Sequence, residues 1–232
     1  MTTATRSPAG SGEQPQPGSA AEFPLVGQLR LNLSALGIEP DAPDFAERFF
    51  RMACDNELYR LEFSADGELI VMPPSGWESG ANEQAASSRV AIWQDDNGGL
   101  SFPPTVMFNL PSGARYIPDA SWISQEHYER LLSQEYQSTI DGAPDFVVEV
   151  RSRTDNLADG LAKMQEWMDG GARLGWYLDP YETRAYVFRP GQPAEVLDNP
   201  ESLSGEDVLP GFVFEVRRLI FARHNPQAGH GE

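Results

Sequence analysis

Two periods of hydrophobic and polar positions run along this chain, and the change from one to the other marks its elements. Residues 41–56 (DAPDFAERFFRMACDN) open with acids suited to a helix start and then set Phe45, Phe49, Met52 and Ala53 three and four apart, which predicts an amphipathic helix. Leu58–Phe63 and Glu68–Met72 are short β-type runs around Ser64-Ala-Asp-Gly67, whose Asp-Gly step predicts a hairpin. After Pro73-Pro-Ser-Gly76, residues 80–94 predict a helix entered near Ala81, with Glu83 in its first turn. Strands follow at Thr105–Asn109 and Ala120–Ile123, then a helical stretch from Gln125 through about Gln134. Asp145–Arg151 (DFVVEVR) is the strongest strand, residues 156–170 an amphipathic helix closed by Gly170-Gly171, and Leu174–Asp179 and Arg184–Arg189 two more strands around Pro180-Tyr-Glu-Thr183. The order ββ, α, β, β, α, β, α, β, β predicts a mixed α/β layer fold.

Residues 1–22 are Ser, Pro, Gly, Ala and Gln with little to bury, so they read as a disordered tail, and residues 224–232 read as a flexible one. No fixed-period repeat or linker divides the rest, which predicts one domain over residues 23–223. In 232 residues, 17 Lys and Arg face 35 Asp and Glu, a net charge of −18 that excludes the basic footprint of a non-specific nucleic-acid coat. A single cysteine, Cys54, excludes a disulfide framework and a Cys-rich zinc site, and reads as a small buried hydrophobe on the early helix. Neither a membrane span nor a signal peptide is visible, so the chain is expected in the cytoplasm. His127, His224 and His230 are scattered without metal-ligand spacing. Trp93, Trp122, Trp167 and Trp176 read as core or core-edge anchors.

Period two puts Phe146, Val148 and Val150 on one face of DFVVEVR and Val147, Glu149 and Arg151 on the other. Glu149 thus interrupts an apolar central strand, where a carboxylate needs a cation, a hydrogen bond or an ion partner; Arg151 and Arg153 are the plain candidates for an ion pair. Asp145 cannot share an ion with Glu149, because four residues of strand span about 13 Å and two oxygens on one Mg²⁺ lie only about 3–4 Å apart. Asp119 opens a different strand and can reach if that strand pairs beside DFVVEVR; otherwise it is a turn residue after Pro118. Lys163 is the only lysine. The strand runs on for about 10 Å beyond Glu149 and the returning helix covers about 10.5 Å from Asn156, so Lys163 comes back level with it. On the helical wheel Leu157, Leu161, Met164 and Met168 form the buried stripe, with Lys163 and Trp167 on its flank, where a lysine can also simply snorkel to solvent. A lone ammonium in an otherwise all-arginine chain favours a chemical role, because the two cations are not interchangeable.

These residues resemble the Uma-two family of restriction-endonuclease-like proteins, within the PD-(D/E)XK nuclease superfamily. The likeness covers roughly residues 44–221. It rests on Gly67-Glu-Leu-Ile-Val-Met-Pro-Pro74, Asn82-Glu83, Pro118-Asp119-Ala-Ser-Trp122, Pro144-Asp-Phe-Val-Val-Glu149-Val-Arg-Ser152, Ala162-Lys163-Met-Gln-Glu-Trp167, Leu174-Gly-Trp-Tyr-Leu-Asp-Pro180 and Leu209-Pro-Gly-Phe212. The resemblance implies a restriction endonuclease-like α/β fold, a mixed central sheet flanked by helices with additional β-hairpins. It also implies Asp119 and Glu149 as Mg²⁺ ligands, with Mn²⁺ as substitute, and Glu83 as the helix glutamate of the site. Where the usual E-x-K pattern has lysine, this chain has Arg151, and the resemblance implies that Lys163 on the next helix takes its place.

The expected activity is metal-dependent endonucleolytic hydrolysis of nucleic acid, DNA before RNA, with Asp119, Glu149, Lys163 and Glu83 as the site. Glu83 has a second reading, as an acid favoured by the helix dipole. Given the charge, weak intrinsic affinity is expected, helped at most by a local patch of Arg115, Arg151, Arg153 and Arg173, with a homodimer as the default assembly. The rival expectations are a nuclease-fold binding or regulatory module without turnover, and an acidic protein-interaction domain in which Asp119, Glu149 and Lys163 are a buried ion-pair cluster.

Overall fold

The computed structural model describes residues 27–33, 38 and 42–224, and the predicted tails at 1–22 and 225–232 lie outside these. His224, expected to open the C-terminal tail, instead packs on the domain, its Nε2 2.9 Å from Asn82 Nδ2 and its ring against Tyr181.

The first sheet has strand order β12-β11-β10-β9-β7-β4, made of β4 Leu100–Phe102, β7 Ala120–Ile123, β9 Phe146–Val150, β10 Leu174–Asp179, β11 Arg184–Phe188 and β12 Glu195–Asp198. β9 and β10 run parallel, joined by helix α4 Leu157–Asp169, and the sheet's other pairs are antiparallel. The long helix α2 Trp77–Asn97 covers the opposite face, burying Ala85, Ala86 and Val90 against Phe146, Val148, Val150 and Trp176. Its start at Trp77, three residues before the predicted Gly80, moves Glu83 from the first helical turn to the second. β7 and β10 keep their predicted bounds.

The hairpin of β2 Arg60–Phe63 and β3 Glu68–Met72, expected as an addition to one sheet, is the middle of a second six-stranded sheet. Its order is β1-β3-β2-β6-β5-β8, with β1 Leu29–Asn32, β5 Phe108–Asn109, β6 Arg115–Tyr116 and β8 Ile140–Asp141. One face of this sheet carries Leu61 and Phe63 against α1 Phe45–Asp55. The other carries Ile70, Met72, Phe108 and Tyr116 into a core shared with Met164, Trp167 and Met168 of α4 and with Val147 and Tyr177 of the first sheet. Helix α3 Gln125–Leu132, the small pair β13 Leu203–Ser204 and β14 Val213–Phe214, and a closing helical segment, Arg217–Phe221 and Ala222–His224, complete the described chain. The arrangement is the predicted mixed α/β class. Helix α4 lies close on β10 because Gly175 has no side chain: a Cβ there would crowd Met164 and Met168. Among the described residues no helix is long and apolar enough to cross a membrane.

Candidate active site

Strand register brings Asp119 and Glu149 together. Ala120 stands opposite Val148 in the antiparallel β7–β9 ladder, so one further step sets Asp119 opposite Glu149 on strands about 4.8 Å apart. Ala120 and Val148 both enter the core beneath α2, which turns their neighbours Asp119 and Glu149 to the α4 side. Both carboxylates are buried, at 3% and 6% exposed. Asp119 accepts a hydrogen bond from the Val150 amide at 2.8 Å on one oxygen and from Arg60 at 3.0 Å on the other.

Lys163 returns on α4 to Glu149, as its place in the helix predicts: Nζ lies 2.9 Å from Glu149 Oε1. The same carboxylate oxygen accepts from the Trp167 indole at 2.9 Å. Trp167, on the flank of the helix's stripe and expected as a core or core-edge anchor, is fully buried, because the second sheet closes over that flank. Lys163 also donates to Glu62 at 3.0 Å and sits over the Tyr116 ring, so it is an enclosed ammonium and not a snorkelling one. Glu62, at 2% exposed, accepts the Ile117 amide at 2.9 Å on the oxygen that meets Lys163. Arg60 and Glu62, two residues apart on β2, therefore face this cluster together. Neither stands out in the sequence, where both fall within a short β-type run at Leu58–Phe63.

Glu83 stands on α2 with its carboxylate on the Ser75 hydroxyl at 3.0 Å. Burial, then the nearby Asp119, raises its pKa. Burial most of all, with Asp119 and Glu62 beside it, pushes Glu149 up to about 7 against the pull of Lys163. Burial alone would lower Lys163, but Glu149 and Glu62 more than reverse that and hold it protonated. Arg60 is held charged in the same way, chiefly by Asp119.

Asp119, Glu149, Glu62 and Glu83 bring four carboxylates to this region against the two cations Arg60 and Lys163, an excess of two negative charges when all are ionised. Hard oxygen donors with that excess fit a divalent cation of the Mg²⁺ type. Among the described residues no three His, Cys, Asp or Glu side chains form a ready metal cluster, so the fit rests on the Asp119–Glu149 pair and its charge.

Other candidates are engaged elsewhere. Arg151 donates to Asp179 at 2.7 Å, and Arg153 pairs with Glu78 at 3.2 Å, so neither is the partner of Glu149. Arg115 is buried on its neighbour's carbonyl, and Arg173 pairs with Asp145 at 3.6 Å, so of the four arginines only Arg153 also borders the cleft at Asp119. Asp145 accepts from Ser124 N at 2.8 Å and lies 3.2 Å from His127 Nδ1, away from Glu149 as the strand spacing requires. Cys54 is exposed, contrary to the expectation of a buried hydrophobe, because it lies one step off the stripe that seats α1.

Two cavities reach the site. A cleft of about 850 Å³ is lined by Arg60, Glu83, Asp119, Ser75, Trp77 and Arg153, among others. A smaller one, about 170 Å³, is lined by Arg60, Glu62, Asp119, Glu149, Lys163 and Tyr177. Asp119 and Arg60 border both.

A comparison with curated proteins finds no match. Among solved structures, the chain is similar to one described as a "putative nuclease belonging to DUF820" from Anabaena variabilis ATCC 29413. The TM-score is 0.61 at 20% identity, over 70% of this chain and 89% of that one, a likeness of fold. The Uma2 family model, described as "Putative restriction endonuclease", matches residues 46–217, a span that holds β2, Glu83, Asp119, Glu149 and Lys163. The chain belongs to the Uma2 family.

Proposed function

We propose that this chain is a Mg²⁺-dependent nuclease, with Mn²⁺ as a working substitute, that hydrolyses phosphodiester bonds of nucleic acid, DNA in the first place. The observation that carries the reading is the buried contact of Lys163 with Glu149, with Asp119 set beside Glu149 by strand register. The family and the related fold, each described in terms of a nuclease, support the same chemistry. Asp119 and Glu149 are the residues that would hold the cation, which when bound supplies a Lewis acid for a phosphate oxygen and a more acidic water.

The chain's own groups do the rest. Lys163, kept protonated by two carboxylates, orients the attacking water and offsets charge developing on the phosphate; it is a donor and not a base. Glu62 and Trp167 fix it and Glu149 in place. Arg60, shared by both cavities, meets phosphate negative charge at Asp119. Glu83 supports the cation's hydration from the cleft side. With a net charge of −18 and with Arg151 and Arg153 each engaged by a carboxylate, the chain binds nucleic acid weakly, and cutting both strands calls for a second copy.

A second reading, a structural ion-pair cluster without turnover, is favoured by the pairing of Arg60 with Asp119. Calorimetric titration with Mn²⁺ separates the two. The nuclease reading expects binding in the micromolar-to-millimolar range that Asp119→Asn abolishes, and the structural reading expects no heat of binding in either protein.

A further inference from the structure

Tyr177 stands beside Glu149 on the next strand, paired with it across the parallel β9–β10 ladder and on the same face. Asp119, Glu149 and Tyr177 therefore form one row across three adjacent strands. Helix α4 runs over this row. Lys163 and Trp167 cover Glu149, and Gly160, one turn before Lys163, covers Tyr177. A Cβ added at Gly160 would overlap the Tyr177 hydroxyl and the end of its ring.

Two costs meet here. Glycine within a helix is less favourable than alanine. The Tyr177 hydroxyl, on a residue 3% exposed, has no hydrogen-bond partner among the described residues, and an unmet buried donor is destabilising. A phenylalanine would avoid the second cost and leave the ring packing against Tyr186 intact. Tyr177 is one of the residues that line the smaller cavity, together with Glu149 and Lys163.

We propose that Tyr177 belongs to the site: its hydroxyl donates a hydrogen bond to an anionic phosphate oxygen of the bound substrate, on the far side of Glu149 from Asp119. This rests on the nuclease reading. Burial, with Asp155 and Glu149 nearby, raises the phenol's pKa, so it remains a donor throughout the neutral range.

The test compares the wild-type chain with Tyr177→Phe in three measurements: melting temperature, affinity for a short labelled single strand of DNA in Ca²⁺, and cleavage of that strand in Mg²⁺. The proposal expects Tyr177→Phe to melt at the same temperature or higher, to bind several-fold more weakly, and to lose on the order of 10- to 100-fold in kcat/KM, the range for a bond to a charged acceptor. A variant that melts lower yet binds and cleaves like the wild type assigns the hydroxyl to the fold and overturns the proposal. So does a variant unchanged in all three measurements, its hydroxyl then meeting only cavity water. Both results leave an active wild type and the nuclease reading intact. A wild type that neither binds nor cleaves overturns that reading, and the role of Tyr177 with it.

Discussion

The ammonium of Lys163 lies 2.9 Å from Glu149 and 3.0 Å from Glu62, and so joins the central strand of one sheet to a strand of the other. Removing one partner of a buried pair leaves a charge without compensation, typically at about 3–5 kcal/mol. Here the loss depends on pH, because Glu149 can take up a proton in place of its partner. Lys163→Ala is expected to destabilise the protein more at pH 8 than at pH 6, read as the difference in denaturation midpoint from wild type at each pH. An equal difference at both would show that Glu149 does not carry the charge Lys163 offsets.

The metal-free protein has its own pH signature. Glu149 titrates near pH 7 in the folded chain and near 4.5 when unfolded, so between these values the folded state binds more protons. Its contribution therefore favours folding below about pH 4.5 and is lost as pH rises through about 7. Glu149→Gln is expected to flatten this part of the stability curve, and saturating Mg²⁺ to raise stability most at pH 8. Thermal melts from pH 5 to 8 check both, and a wild-type slope that survives in Glu149→Gln would contradict the assignment.

Asp145 gives the opposite sign. Burial opposes its charge, but the bonds from His127 and Ser124 outweigh burial and hold its pKa near 2, below the usual 3.8. That stability is present above about pH 4 and lost as pH falls toward 2. Asp145→Asn is expected to cost on the order of 1–3 kcal/mol at neutral pH, to remove the acid-side slope, and to leave metal binding unchanged, as calorimetry with Mn²⁺ would show.

Glu62 tests the second sheet's part in the site. Glu62→Gln keeps an acceptor for the Ile117 amide but withdraws one negative charge from Lys163. The variant is expected to remain folded and to lower the pKa of Lys163, seen as a downward shift of the basic limb of the pH–rate profile. A profile unchanged from wild type would place Glu62 outside the chemistry.

How legible this was in the sequence depends on the range of the interactions. Lys163 could be placed because one strand and one helix have fixed rises, and Glu149 because a carboxylate broke an apolar strand. β7 and β10 were readable from their bracketing turns. β4, β6, β8, β13 and β14 are two or three residues long and exist through pairing with distant strands, which no local period records. Arg60 and Glu62 escaped notice for the same reason: alternation marks their face as polar, and only the fold shows that this face is closed by another sheet. Trp167 lies off the main stripe of α4 yet is the core anchor its residue type predicts, because the helix has a core on both sides of it.

The central claim is that Asp119, Glu149 and Lys163 form a working phosphodiester-cleaving centre. Its most direct test is the cleavage rate of end-labelled single- and double-stranded DNA in Mg²⁺ by the wild-type chain, by Lys163→Ala, and by wild type with EDTA, with folding of the variant verified by circular dichroism. The account predicts measurable cleavage by the wild type, none with EDTA, and a loss of about 10²–10³ in Lys163→Ala, the usual effect of removing one preorganised donor. Equal rates for wild type and a folded Lys163→Ala, or cleavage indifferent to EDTA, would contradict it.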